Sequence, residues 1–168
     1  MDGRRFTPIT YAACPQKDST SKKKAGAPRW PRKKGDMPAK LEVGRSYQNQ
    51  TRVEEWMTAQ KAGNTGVDVL STPMLLQLVE EAAMQCIAPT LQAGTVTLGT
   101  HAEIQHLAPT PVGFIVRVEV EVITVDGRRI ELAFAAFDER EKVAEGTHER
   151  YVTDLGKFKE RIEEKQSG

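Results

Sequence analysis

No apolar run in these 168 residues is long enough to cross a bilayer, and no apolar segment near the start has the form of a secretory signal. The chain therefore reads as soluble and cytoplasmic, with no membrane partner. Cysteine is scarce. The two present, Cys14 and Cys86, are too few for a disulfide framework, and without companion histidine spacing they make no zinc site. No internal repeat is visible. What remains is room for one ordinary domain with a real core.

The net charge of +1 hides an asymmetry. Residues 1–36 hold ten Lys or Arg against three Asp, a net +7, while the remainder holds fourteen basic and twenty acidic residues, a net −6. A basic arm on an acidic body raises the reading of a nucleic-acid or membrane-surface tail. The arm has Lys/Arg runs, Pro, Ser and Gly but no apolar periodicity, so it reads instead as a disordered, functionally silent extension, with nucleic acid an unlikely partner. Met37 follows directly, and the ordered pattern begins just beyond it. The expected organisation is thus an extension over 1–36, which translation from Met37 would omit, and a single domain over 37–168.

Within the domain, residues 41–53 read as a short edge strand and 53–62 as a helical turn or two around Trp56 and Met57. Gly63-Asn64-Thr65-Gly66 breaks regular structure. Thr72 before Pro73 reads as a helix cap followed by proline at the first helical position. Leu75, Leu78, Val79, Ala82, Cys86 and Ile87 recur at helical spacing, and Pro89 ends the run. The stripe is wide enough to predict a helix about 24 Å long, largely enclosed by other structure.

Beyond the helix the period changes to two. Val96, Leu98, Thr100, Ala102, Ile104 and His106 fall on one face, and Thr97, Gly99, His101, Glu103 and Gln105 on the other. Val116, Val118, Val120 and Val122 alternate with charges. Asp126-Gly127 signals a type I′ hairpin, after which Ile130, Leu132, Phe134 and Ala136 continue the alternation. Residues 143–152 read as a last strand and 157–165 as a charged terminal helix. One buried helix among antiparallel strands implies an α+β domain whose sheet wraps the helix, since nothing else can cover it.

Four residues stand out chemically, and each has a structural explanation beside the functional one. His106 lies on the apolar parity at a strand end and could be a general base or a satisfied, half-buried histidine. Glu80 sits on the less apolar strip of the helix with Gln77 and Met84, where an enclosed carboxylate needs a partner. Thr72 could serve only as a cap, or as a nucleophile at a helix N-terminus. Gly99 within a strand marks a bulge or a close ligand approach, its N–H being a candidate oxyanion donor. His101 reads as surface, and His148 as a structural hydrogen-bonding residue.

Taken together, Val69-Leu70-Ser71-Thr72, Leu78-Val79-Glu80, Ala88-Pro89, Leu98-Gly99-Thr100 and Ala108-Pro109-Thr110-Pro111 resemble the fluoroacetyl-CoA thioesterase-like branch of the hotdog-fold thioesterases. Asp126-Gly127-Arg128-Arg129, Gly146-Thr147-His148-Glu149-Arg150 and Leu155-Gly156-Lys157-Phe158 extend the match in the same order. The resemblance implies a hotdog fold, an approximately five-stranded antiparallel sheet around one long central helix, and hydrolysis of a small acyl-CoA. It implies Thr72, Glu80 and His106 as the catalytic set and Gly99 as a substrate contact. No metal or cofactor is implied, and coenzyme A enters as part of the substrate. The loop before Thr72 has no aromatic residue where the fluoroacetyl-specific enzyme carries phenylalanines, which points to a general thioesterase rather than a fluoroacetyl-specific one. Eight positions separate Thr72 from Glu80, about 12 Å along one helix. Either His106 bridges them or two subunits combine, and the resemblance implies a homodimer or a tetramer. The competing readings are a hotdog protein that binds acyl-CoA or another small ligand without turnover, a hotdog hydratase or dehydratase, and a nucleic-acid binder acting through the basic arm.

Overall fold

The computed structural model describes residues 41–168, so the basic extension, Cys14 and Met37 lie outside the described residues. In chain order the elements are β1 (Ser46–Arg52), a 3₁₀ turn (Glu55–Met57), α1 (Thr72–Ile87), a second 3₁₀ turn (Ala88–Thr90), β2 (Thr95–His106), β3 (Ile115–Asp126), β4 (Arg129–Phe137), β5 (Lys142–Asp154) and α2 (Leu155–Ser167). The strands form one antiparallel sheet in the order β1-β3-β4-β5-β2. Among the described residues no helix is long and apolar enough to cross a membrane.

The two sequence periods meet in the core. Leu75, Val79, Ala82 and Ile87 from α1 are fully buried, as are Val116, Val118 and Val122 from β3 and Ile130, Leu132 and Phe134 from β4. A helix with that stripe and a sheet with that alternation can desolvate each other, and neither can do so alone. The enclosure is less complete than the stripe predicts. Gln77, Glu81 and Met84 remain exposed within one chain, Met84 at 44%.

Three local details depart from the sequence expectation. The helix cap is Ser71, not Thr72: Ser71 is extended and its Oγ accepts the Met74 N–H at 3.4 Å. Ser71 is held there because its own N–H donates to the Met57 carbonyl at 3.0 Å, while Leu70 donates to Thr110 at 2.8 Å. Pro73 still sits in the first turn, where no intrahelical donor is lost. At the β3–β4 hairpin Asp126 pairs with Arg129, leaving Gly127-Arg128 as the loop. Gly127 has φ +62° and no other described residue type adopts positive φ, so the turn is II′ in character, with glycine first, rather than I′.

The third departure shapes the site. Gly99 pairs with Arg150 and His101 with Glu149, so Thr100 is an extra residue in a β-bulge. The bulge reverses the parity of β2 midway. Thr97 and Gly99 lie on the helix side before it, and Ala102, paired with the buried His148, lies on that side after it.

Phe134 anchors the sheet beneath the helix with no exposed surface. Phe134→Ala is expected to lower unfolding free energy by about 3–5 kcal/mol, read as a reduced urea midpoint at unchanged slope.

Candidate active site

The cap at Ser71 leaves the Thr72 hydroxyl free of the helix, and the end of β2 brings a partner to it. Thr72 Oγ1 lies 2.9 Å from His106 Nδ1, in hydrogen-bond contact. Both line an open cleft of about 420 Å³, walled by Ala59, Ala62, Asn64, Val69, Leu70 and Pro73. The loop that supplies the outer wall is tied to itself. Ala59 N–H donates to Val69 O at 2.8 Å, Gln60 N–H to Val67 O at 2.9 Å, and the Gln60 side chain accepts from Gly66 N–H at 3.0 Å. The site is therefore a preformed pocket at a helix N-terminus, where developing negative charge is favoured.

Burial holds the His106 imidazole below its ordinary pKa, with the Ala108 backbone opposing. A neutral imidazole at neutral pH is the form that can take a proton from Thr72 or water. If Nδ1 accepts from Thr72, Nε2 carries the hydrogen, and Nε2 is buried with no hydrogen-bond partner among the described residues.

Glu80 is not that partner within the chain. Its carboxylate forms a second cluster, ion-paired to Nη1 of Arg150, with His148 Nε2 3.4 Å from its other oxygen. Arg150 is 3% exposed and fully engaged: Nε donates to Thr97 Oγ1 at 3.1 Å and Nη2 to Thr97 O at 2.9 Å. Gly99 belongs here too. A Cβ at Gly99 would collide with the Glu80 carboxylate and press on the His148 ring, so only glycine admits Glu80 to this position.

The structure thus brings Thr72 to His106, and Glu80 to Gly99, in two groups. His148 has the structural hydrogen-bonding role expected of it, whereas Arg150 is missed by the sequence reading, although a signal is available. Both sit on the same strand parity as buried Ala144 and Val152, and an arginine on that parity must find partners inside. Among the described residues no three His, Cys, Asp or Glu side chains are grouped as a metal would require.

Residues 53–155 match the sequence model of the fluoroacetyl-CoA-specific thioesterases. The chain belongs to that family. It is 37% identical over 98 residues to the fluoroacetyl-CoA thioesterase of Streptantibioticus cattleyicolor, covering 58% of this chain and 70% of that one. The crystal structure of the fluoroacetyl-CoA thioesterase FlK superimposes with a TM-score of 0.71 at 30% identity, over 75% of this chain and 98% of that one. A hot-dog-like protein from Thermanaerovibrio acidaminovorans gives the same TM-score at 28% identity, over 75% and 93% of the two chains. The fold is accordingly the hotdog, as expected, and the protein is a thioester hydrolase.

Two imidazoles with depressed pKa values, one buried and one half-buried, make stability depend on pH. The folded values of His106 and His148 lie below the unfolded value of about 6.5, so the unfolded chain binds more protons as pH falls. Their contribution is complete above about pH 6.5 and is lost as pH drops through the folded values. Urea midpoints measured from pH 7.5 down to 4.5 are expected to decline below about pH 6.5. A flat profile there would contradict the lowered pKa of both rings.

Proposed function

We propose that this enzyme hydrolyses small acyl-CoA thioesters to the free acid and coenzyme A, with Thr72, Glu80 and His106 as its catalytic set. The observation that carries the reading is the 2.9 Å contact between the Thr72 hydroxyl and His106 Nδ1 in an open cleft. A related FlK structure, 31% identical over 70% of this chain and 99% of its own, with a TM-score of 0.66, was solved with fluoroacetate and CoA bound. That supports an acyl-CoA substrate here.

In this scheme His106 removes a proton from Thr72 or from the attacking water as the oxygen adds to the thioester carbonyl. The helix N-terminus stabilises the resulting oxyanion, joined by Gly99 N–H where a second chain brings its Glu80–Gly99 group to the cleft. Collapse of that intermediate breaks the C–S bond, and His106 returns the proton to the departing CoA thiolate. Where Thr72 is the attacking group this leaves an acyl ester on its Oγ1. A water deprotonated by His106 then cleaves that ester, releasing the acid as the proton returns to Thr72. Apart from His106 the cleft wall has no aromatic ring, being built from Ala, Val, Leu, Pro and Asn64. This favours a general small-acyl thioesterase over a fluoroacetyl-specific one.

The same reading calls for a homodimer. Glu80 is committed to Arg150 away from Thr72, while His106 Nε2 is a buried donor without an acceptor. The outer side of β2, which carries both Gly99 and His106, is an open sheet edge among the described strands. A second copy docked along that edge would offer its Glu80 carboxylate to His106 Nε2.

Thiol release from short, branched, aromatic and halogenated acyl-CoAs tests the chemistry. His106→Ala is expected to lower kcat by about 10²–10⁴-fold, and retention of full activity would remove the scheme. Complementation tests the shared site. Thr72→Ala and Glu80→Gln chains, each inactive alone, should on co-expression regain about a quarter of wild-type activity, because half the dimers hold one intact composite site. A fully active monomer in sedimentation would defeat the two-chain arrangement.

A further inference from the structure

The most enclosed member of the second cluster is His148, 1% exposed. From β2 the His101 carbonyl lies 3.1 Å from its Nδ1, and from β5 Arg150 Nη1 lies 3.2 Å from its Nε2. From α1 Glu80 Oε1 approaches Nε2 at 3.4 Å, and β4 contributes only the apolar Leu132 opposite it. These neighbours fix the ring's state. A carbonyl can only accept, so Nδ1 must carry a hydrogen. At Nε2 the nearer neighbour is the Arg150 guanidinium at 3.2 Å, which can only donate, while the Glu80 carboxylate, which can only accept, stands at 3.4 Å. The closer contact calls for a lone pair on Nε2. One species meets both conditions: the neutral Nδ1–H tautomer.

We propose that His148 is a positioning residue for thioester hydrolysis, a neutral buttress whose Nε2 lone pair holds the Arg150 guanidinium against Glu80. The proposal rests on the reading of Glu80 as a member of the catalytic set. Thr97 clamps Arg150 through Nε and Nη2, leaving Nη1 as the arm that reaches Glu80. His148 is the other group on that arm. Protonation of His148 turns its acceptor into a donor, sets a cation against Arg150, and offers Glu80 Oε1 a competing ion pair. Acid thus redirects the carboxylate instead of merely neutralising it. Burial holds the ring below its ordinary pKa, with Glu80 opposing that effect and Arg150 adding to it. The buttress therefore stands throughout the neutral range and is lost only on the acid side.

The chain has three histidines, so imidazole ¹⁵N resonances can be assigned by single substitutions in the full-length protein. His148 is expected as the Nδ1–H tautomer, titrating below about 6.5 and moving upward in Arg150→Met. An Nε2–H tautomer, or a titration at the ordinary value, overturns the proposal. Kinetics with acetyl-CoA and fluoroacetyl-CoA supply the second arm. His148→Leu, which removes the lone pair, should lower kcat by about 10–100-fold with little change in KM. His148→Gln, whose amide can accept from Arg150 and donate to His101, should recover most of kcat and extend activity to lower pH because it cannot protonate. If His148→Leu fails to fold, the His148→Gln profile decides, and an unchanged acid limb overturns the buttress. The two failures separate. Full activity in Glu80→Gln removes the catalytic assignment beneath the proposal, whereas a Glu80-dependent enzyme with wild-type kcat in His148→Leu overturns the proposal alone.

Discussion

A guanidinium taken out of water is the constraint on which much of this structure turns. Arg150 is almost fully buried, and an unpaired charge in that position would cost several kcal/mol. Its partners come from three elements: Thr97 on β2, His148 on its own strand β5, and Glu80 on α1. Satisfying the charge therefore fixes the helix against the seam between the last two strands of the sheet. It also dictates a glycine at 99, because the carboxylate that answers Arg150 lies where a side chain from β2 would otherwise stand.

The bulge at Thr100 follows the same logic. Gly99 and His106 are seven residues apart, so in an unbroken strand they would face opposite sides of the sheet. Gly99 has to lie beneath Glu80, and His106 has to reach Thr72 at the start of the helix. Both can face α1 only if one residue is left out of the pairing, and Thr100 is that residue. Thr100 does not go unsatisfied. Its hydroxyl donates to the Glu149 carboxylate at 2.8 Å, on the side of the strand where the bulge places it.

This explains what the sequence disclosed and what it withheld. Val116 to Val122 and Ile130 to Ala136 alternate cleanly because one face meets the helix and the other does not, and alternation survives translation into structure. The helical stripe from Leu75 to Ile87 is legible for the same reason. A bulge leaves no such mark: on strict alternation Thr97 and Gly99 fall with the polar residues, and only the inward arginine on the neighbouring strand contradicts that. The cap is a similar case. Ser71 and Thr72 have equal capping chemistry, and the choice between them is made by hydrogen bonds to Met57 and Thr110, distant in sequence. Thr72, Glu80, His106 and Gly99 were each visible as candidates, yet their division into two clusters depends on which strand lies beside which. The stripe of α1 overstates its enclosure, since Gln77, Glu81 and Met84 stay exposed and a wide apolar stripe does not say what covers it.

The division also constrains what each group can contribute to catalysis. The Glu80 carboxylate is held by a buried guanidinium, and its two oxygens face Arg150 and His148. Glu80 is therefore placed as a hydrogen-bond acceptor within that cluster. His106 differs: partial burial favours its neutral ring, with the Ala108 backbone opposing, and its Nε2 has no hydrogen-bond partner among the described residues. A histidine without an orienting acceptor and a carboxylate without a nearby nucleophile are each half of one acid–base device. In the proposed two-chain arrangement the carboxylate would supply His106 with the acceptor that its own chain does not bring to Nε2. The proposed junction falls at the open β2 edge, the strand that carries the histidine at its end and the glycine under the carboxylate at its middle.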